Sequence, residues 1–270
     1  MTKSWVWAGL ALAGAAGGVL LLAGPEDGGG SRLVSAEEAQ RMALARFRTY
    51  QGSPSEVVVR VPAPEGAAVV RAVVDHRRHR AVGWYQAGGQ REPGLLAWDG
   101  GGLAVAEPRQ TPQRPGPRQA PQPPRQSAGS AARAAARLEP SAWTRRPFGR
   151  APLDAALRLT LAMAADRPEN PQLLAQSGPL HLRTEQIDGH RYDVLSGPRP
   201  RPHASASTTA PTKPTAAGRS PLTYWIGGDG ELRRITADFG ADRTVSIDLT
   251  RTRVRPGVPD TPWKPRPAAQ

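Results

Sequence analysis

The sequence predicts an α+β fold in which one continuous antiparallel sheet is covered by helices. The predicted elements run in the order helix, strands, helices and further strands. The strands are short, rich in β-branched and aromatic residues, and broken by Gly- and Pro-containing turns, which is typical of an antiparallel meander. Because such a sheet has an apolar face that must be covered, the helices are its expected second layer.

The N-terminus carries an uncharged apolar run over residues 5–24. At 1.5 Å per residue this run is long enough to cross a hydrocarbon layer of about 30 Å. Lys3 before it and Glu26 and Asp27 after it favour an N-terminus inside and a body outside. We therefore predict a signal-anchor over residues 1–28 that inserts into the cytoplasmic membrane as a single-pass transmembrane helix. The alternative is a cleaved signal and a secreted body, which is extracytoplasmic as well.

The first half of the body combines one helix with a group of strands. Ser35 and Glu38 form the pattern of a capping box at the start of a helix, and Gly52 is a suitable residue to end that helix. The strands that follow are predicted over residues 55–61, 67–75, 81–86, 95–98 and 103–106. Their tight spacing favours direct pairing between neighbours in the chain.

The second half is predicted as helices followed by hairpins. The helices are expected over residues 130–139, 152–166 and 170–178, the hairpins around Asp188-Gly189 and over 222–239, and a last strand over 243–254. The glycines of Gly227–Gly230 resemble a phosphate-binding loop, but such a loop needs a following helix whose N-terminus faces the anion. The alternation in ELRRITADF indicates a strand instead. We therefore predict a hairpin turn in which the glycines and Asp229 adopt positive φ.

Two Pro/Arg-rich stretches interrupt this body. Residues 108–130 and 197–220 are predicted to be disordered loops within a single domain over 29–255, because proline removes backbone donors and fixes φ. Residues 256–270 are predicted to be a disordered tail on the same grounds.

The positive charge of the chain is concentrated in low-complexity sequence. Glu107–Arg150, Gly197–Ser220 and Thr250–Gln270 carry +7, +4 and +4, against +13 for the whole chain, which leaves −2 for the rest. A nearly neutral body argues against a nucleic-acid partner. The Arg-rich loops are either spacers without a partner or arms that attract an anionic envelope polymer or lipid by charge.

The amino-acid composition indicates the type of organism that the protein comes from and excludes some side-chain chemistry. All but three of the 36 basic residues are arginine, which indicates a G+C-rich bacterial source. The chain has no cysteine, so disulfides, thiolate metal sites, thiol nucleophiles and a lipidated N-terminal cysteine are excluded.

Two segments resemble a known family. LHLRTEQIDGHRYDVLSG followed by LTYWIGGDGELRRITADF is similar to the second half of the LolA-like half-barrel proteins, which include periplasmic lipoprotein carriers and the LppX/LprG-type mycobacterial lipoproteins. The chain departs from them in lacking a lipidated cysteine and in its two long insertions. The resemblance identifies an actinobacterial, membrane-anchored member and implies a curved sheet around an apolar cavity.

Two functions follow from that resemblance. One is binding of a lipid or of a lipoprotein's acyl chains in the half-barrel cavity. The alternative is a non-enzymatic cell-envelope sensor or protein-interaction module, because LolA-like domains also resemble the periplasmic regulators of anti-sigma factors.

The candidate ligand-binding residues are large side chains on predicted strands. They are Trp84, Trp98, Tyr224, Trp225 and Ile226. Successive strand residues face opposite sides, so Tyr224 and Ile226 share a face with Leu222, while Trp225 faces the other way. One set would line the concave side of the sheet. The alternative is that these residues fill an ordinary core.

No catalytic or metal site is predicted. Asp75, His76 and His79 offer metal-ligand types, but three arginines lie among them and the stretch has the pattern of a hairpin turn, which could also touch anionic headgroups. Sequence motifs for a nucleophile elbow, a P-loop, a dinucleotide site or an EF-hand do not occur. We expect a non-enzymatic protein without a cofactor.

Overall fold

The computed structural model of the protein describes residues 30–88, 93–106, 127–198, 220–240, 243–260 and 262–263. The predicted signal-anchor, most of both Pro/Arg-rich loops and the end of the predicted tail lie outside these ranges. Within them, no helix has the length and apolar character needed to cross a membrane.

The described strands form one open sheet in which all neighbours are antiparallel. The twelve strands are β1 (Arg32–Leu33), β2 (Ser55–Val61), β3 (Ala68–Asp75), β4 (Arg80–Gln86), β5 (Gly94–Asp99), β6 (Gly102–Ala106), β7 (Thr144–Arg146), β8 (Leu180–Ile187), β9 (His190–Ser196), β10 (Leu222–Gly227), β11 (Leu232–Asp238) and β12 (Thr244–Arg251). Their order across the sheet is β1-β8-β9-β10-β11-β12-β2-β3-β4-β5-β6-β7. The α+β class predicted from the sequence is confirmed, and the open sheet is consistent with a half-barrel.

Four α-helices are present in the described residues. They are α1 (Ala36–Gln51), α2 (Ala128–Arg137), α3 (Pro152–Ala162) and α4 (Pro171–Gln176). The Ser35 hydroxyl accepts a hydrogen bond from the Glu38 N–H at 3.2 Å, and the Glu38 carboxylate accepts one from the Ser35 N–H at 2.7 Å. Gly52 ends α1. The capping box and the stop are therefore confirmed.

Some element boundaries differ from the prediction. The short strands β1 and β7 were not predicted, because two or three exposed residues carry no pattern of their own and depend on pairing with β8 and β6. Helix α3 ends at Ala162 rather than residue 166, and the Ala165 N–H instead bonds to the Arg46 carbonyl of α1 at 3.1 Å.

One face of the sheet packs against α1, α3 and α4 in the main apolar cluster. Alternate residues of each strand enter it: Val70, Ala72 and Val74 of β3 belong to this cluster, whereas Val73 points to the opposite face. The period-two pattern of the strands therefore continues across the sheet, as expected for a layer covered on one side by helices.

The opposite face of β3–β6 is covered as well. Helix α2 and the C-terminal segment, residues 252–260 and 262–263, form a second apolar cluster with these strands. Val258 is 6% exposed and Trp263 packs against the same cluster. The prediction of a disordered tail from residue 256 is therefore wrong for this segment. Its prolines are compatible with an extended stretch held by side-chain packing rather than by a sheet ladder.

The turn after β10 is a hairpin, as predicted. Its Gly230 has φ of 84° and its N–H bonds to the Gly227 carbonyl at 2.9 Å. The expectation of positive φ at Asp229 is wrong, since the positive φ values in this turn are confined to Gly230. The Asp229 carboxylate instead accepts the Glu231 N–H at 2.9 Å, which stabilises the turn without a left-handed residue.

Candidate functional site

Three of the predicted ligand-binding residues lie on the face of the sheet that packs against α1, α3 and α4. Trp98 is fully buried and its indole N–H donates to the Thr160 hydroxyl of α3 at 3.1 Å. Ile226 is 1% exposed in the main cluster, and Tyr224 packs against that cluster. Burial raises the pKa of Tyr224 above its ordinary value. These side chains fill the space between the sheet and the helices.

The other two residues lie on the opposite face and far apart in the strand order. Trp84 packs beside α2 and donates its indole N–H to the Ser130 hydroxyl at 2.8 Å. Trp225 packs with Tyr192 and Val194 in a third, smaller cluster, and its indole N–H donates to the Glu185 carboxylate. The structure thus separates the five residues into three clusters on two faces. Contact of any of them with a ligand stays a prediction.

A groove of about 470 Å³ lies at the β5–β6–β7 side of the sheet. Its apolar lining comes from Ala97, Leu103 and Ala104 of the strands and from Trp263 of the C-terminal segment. We call it the apolar groove. The three strand residues are at most 5% exposed, so the groove gives access to the edge of the packed core.

The C-terminal segment builds one wall of the apolar groove. The Arg145 guanidinium donates to the Pro262 carbonyl, and the Arg80 guanidinium lies 5.0 Å from the centre of the Trp263 ring. Arg80 also pairs with Asp260 at 3.7 Å. These contacts explain why the segment, which has few apolar residues, stays against the sheet. The sequence signal for it was a tryptophan within an otherwise polar, Pro-rich stretch.

Three charged side chains line the apolar groove: Asp99, Arg145 and Arg146. Arg146 is already paired, because its two terminal nitrogens lie 2.6 and 2.8 Å from the carboxylate of Asp154. This hydrogen bond lowers the pKa of Asp154 below its ordinary value, against the effect of burial. Asp99, which accepts the Gly101 N–H at 2.8 Å, and Arg145, which donates to the Pro262 carbonyl, give the groove one charge of each sign beside an apolar surface.

Three side chains of the kinds that bind metal ions lie close together. Ligand atoms of Glu38, His181 and Asp193 lie within 4.8 Å of one another. However, Arg32 binds both Glu38 oxygens at 2.6 and 2.7 Å, and Arg41 binds Asp193 at 2.5 Å. A cation there would have to displace two arginines, so the arrangement fits an ion-pair network better than a metal centre.

The pKa of Glu38 reflects this network. Burial by itself raises the pKa, but the hydrogen bonds from Arg32 and from the Ser35 N–H lower it to about 2. The carboxylate is therefore held ionised as the cap of α1. Its role is to fix the start of the helix against β1 and β8.

The stretch with Asp75, His76 and His79 is the turn between β3 and β4, as predicted. His76 is fully buried, and neither ring nitrogen has a hydrogen-bond partner among the described residues. Burial lowers the pKa of His76 to about 4. The side chain is a buried neutral group, and it does not converge with His79, which is exposed.

The comparisons with known proteins concern the fold. No family model and no curated protein matches the chain. The chain is similar to the solved structure of LprF from Mycobacterium bovis, with 16% identity and a TM-score of 0.39, over 82% of this chain and 96% of that one. It is also similar to a LolA superfamily protein from Nitrosomonas europaea, with 11% identity and a TM-score of 0.30, over 83% and 96%.

Proposed function

We propose that the protein is a membrane-anchored, extracytoplasmic binding domain without enzymatic activity, and that the apolar groove holds the chain of a lipid-like amphiphile. One observation carries this proposal. The groove of about 470 Å³ combines buried apolar side chains of β5 and β6 with the ring of Trp263. Its volume falls within the range of about 300–1,000 Å³ that is usual for small-molecule sites.

The chemistry of the groove suits a molecule with one apolar and one polar end. Covering the half-buried ring of Trp263 removes apolar surface from water, which favours binding of a hydrocarbon chain. Asp99 and Arg145 offer one charge of each sign to a polar head. Residues 5–24, as the proposed anchor, would keep the groove at the membrane, where such ligands are concentrated.

Quenching of tryptophan fluorescence tests the proposal. A lysolipid brominated on its acyl chain quenches tryptophans at short range, and among the described tryptophans it is Trp263 that lines the groove. We use the full chain in detergent with Trp5 and Trp7 changed to Phe, so that the predicted anchor does not contribute to the tryptophan fluorescence. Saturable quenching of this protein is expected, and Trp263→Phe should remove most of it.

Trp225→Phe is the matched control, because Trp225 lies in a different cluster on the other half of the sheet. This variant should retain the quenching of the parent. If the parent shows no saturable quenching, or if Trp263→Phe leaves it unchanged, the apolar groove does not bind the acyl chain.

A second function is favoured by the filled main cluster. Because Trp98 and Ile226 are almost completely buried, the layer between sheet and helices does not offer the open half-barrel cavity of a carrier at these residues. The apolar groove could then receive an apolar side chain of a protein partner, as in an envelope sensor or interaction module. The binding surface is the same in both functions, and only the occupant differs.

Photo-crosslinking distinguishes the two occupants. Benzoylphenylalanine replaces Gly101, which lines the apolar groove, in the full chain expressed in its own envelope. Phe239, which is exposed elsewhere, is replaced as the control. A lipid adduct found only at position 101 supports the first function, whereas a peptide adduct found only there replaces it with the second. Equal adducts at both positions would contradict both.

A further inference from the structure

A second groove, of about 600 Å³, lies on the face of the sheet that carries α2, and nothing above assigns it a role. It runs between the outer face of β2 and β3, the start of α2 and the beginning of the C-terminal segment. Five arginines line it: Arg71, Arg133, Arg251, Arg253 and Arg255. We call it the arginine groove. Glu56 is its one acidic lining residue.

The five guanidinium groups are unpaired among the described residues: no ion pair, side-chain hydrogen bond or ring contact involves them. Several arginines elsewhere on the body form ion pairs. Arg60 and Arg234 share the Asp248 carboxylate, and Arg146 holds Asp154 through two bonds. Five positive charges line the groove beside the single carboxylate of Glu56, so the groove has an excess of positive charge and an anion there would stabilise the folded body.

The arginines are placed by well-defined backbone rather than by loose chain. Arg251 ends β12, and the Arg253 N–H bonds to the Gly52 carbonyl at 2.7 Å. Arg253 has φ of 53°, a left-handed conformation that is uncommon for a non-glycine residue. The next residue, Val254, bonds to the Pro54 carbonyl at 3.0 Å. Such a conformation persists only where the surrounding structure holds it, which fits a binding surface.

Four of the five arginines come from two of the low-complexity stretches that carry the excess positive charge of the chain. Arg133 belongs to the basic stretch 107–150, and Arg251, Arg253 and Arg255 belong to the stretch 250–270. The folded chain brings them to Arg71 on β3. The sequence composition suggests a nearly neutral body. The fold instead places positive charge in one local groove of that body.

We propose that the arginine groove binds a phosphate-bearing polyanion of the cell envelope, a chain with several phosphate groups. Guanidinium groups bind phosphate through paired hydrogen bonds, and their planar geometry makes them better suited to it than lysine. Several of them along a groove fit successive phosphates of a chain. A concave groove also fits a strand-like ligand better than a flat bilayer surface.

The test uses the full chain in nanodiscs of neutral phosphatidylcholine, titrated with short-chain inorganic polyphosphate and with hyaluronate. Polyphosphate is expected to bind, and hyaluronate, a carboxylate polymer, to bind more weakly. In R71Q/R133Q/R251Q the polyphosphate affinity should fall by at least about tenfold, because three guanidinium groups that would bind phosphate are lost. Arg253 is left in place because of its positive φ.

The matched control removes the same charge from exposed arginines outside the groove, as R137Q/R150Q/R167Q. This variant should bind polyphosphate nearly as well as the parent. The thermal midpoint of both triple variants shows whether they are folded, since all six positions are exposed and are expected to tolerate glutamine.

Several outcomes would overturn the proposal. Equal losses in the two triple variants would mean diffuse attraction by net charge. Binding of hyaluronate as tight as that of polyphosphate would remove the assignment to phosphate. Loss of polyphosphate binding in nanodiscs of anionic phosphatidylglycerol would assign the groove to lipid headgroups instead. None of these results depends on Trp263, so they are independent of the acyl-chain proposal.

Discussion

His76 lies in the turn between β3 and β4 and is fully buried, with neither ring nitrogen hydrogen-bonded to the described residues. Its backbone N–H donates to the Ser53 hydroxyl at 2.9 Å, which places the ring inside the body. Burial lowers the pKa of His76 from 6.5 to about 4. The folded state therefore favours the neutral form of the His76 ring over the protonated form.

Acid should destabilise the protein through His76. As the pH falls below 6.5, the unfolded state binds the proton before the folded state does, so stability is lost until the pH reaches about 4. The loss is on the order of 3 kcal/mol. We expect His76→Leu to reduce the difference in unfolding free energy between pH 7 and pH 5, measured with urea.

His190→Gln is the control for this measurement, because His190 is exposed on β9. It should keep the pH dependence of the parent. If His76→Leu keeps it as well, burial of His76 is not the source of the acid sensitivity.

Glu38 gives a pH dependence of stability with the same sign as His76, but at lower pH. Its carboxylate accepts bonds from Arg32 and Ser35, and its pKa is lowered to about 2. Its stabilising effect is thus complete above pH 4.5 and is lost as the pH falls towards 2. Glu38→Gln should lower the unfolding free energy at pH 7 by about 1–3 kcal/mol, since charge-assisted hydrogen bonds weaken. Glu37→Gln, the exposed neighbour, should have little effect, and an equal loss there would contradict a specific cap.

Among the structural elements, the C-terminal segment departs most from expectation. It has no sheet ladder beyond Arg251, yet Val258 is buried against α2 and β3–β6, and Trp263 lies under Arg80. Packing of two side chains onto an apolar face holds an extended, Pro-rich stretch in place. The segment also supplies a wall to each of the two grooves.

Truncation of Val258 tests this role. Val258→Ala should lower the unfolding free energy by about 1–2 kcal/mol, because buried methyl groups are lost. Arg167→Ala, at an exposed position outside the segment, is the control and should leave the unfolding free energy unchanged. An unchanged value for Val258→Ala in urea denaturation would show that the segment contributes no packing in solution.

Strands and helices with strong local patterns were predictable. The range 55–61 for β2 and the start of α1 agree with the structure because alternation and a capping box are local signals. The strands β1 and β7 were not predictable, because they exist only through pairing with β8 and β6. The apolar groove was missed for the same reason, since Trp263 packs against the cluster of Ala97 and Ala104 only in the folded chain.

For the molecule as a whole, we predict attachment to the membrane through residues 5–24, which lie outside the described ranges. We expect the full chain in cells to stay in the membrane fraction after alkaline carbonate washing, with the body accessible to protease from outside. Deleting residues 1–28 and supplying a cleavable signal should release the body into the soluble extracytoplasmic fraction. A full chain found there without deletion would indicate a cleaved signal.

The sequence by itself determined the α+β class, the faces of the strands and the hairpin turns, because periodicity and turn chemistry act between near neighbours. Only the tertiary structure decided which residues form surfaces. It buried Trp98 and Ile226 in a filled core, and it joined arginines from three separate segments in one groove. The physical reason is that a groove depends on contacts between residues far apart in the chain, to which no local pattern corresponds.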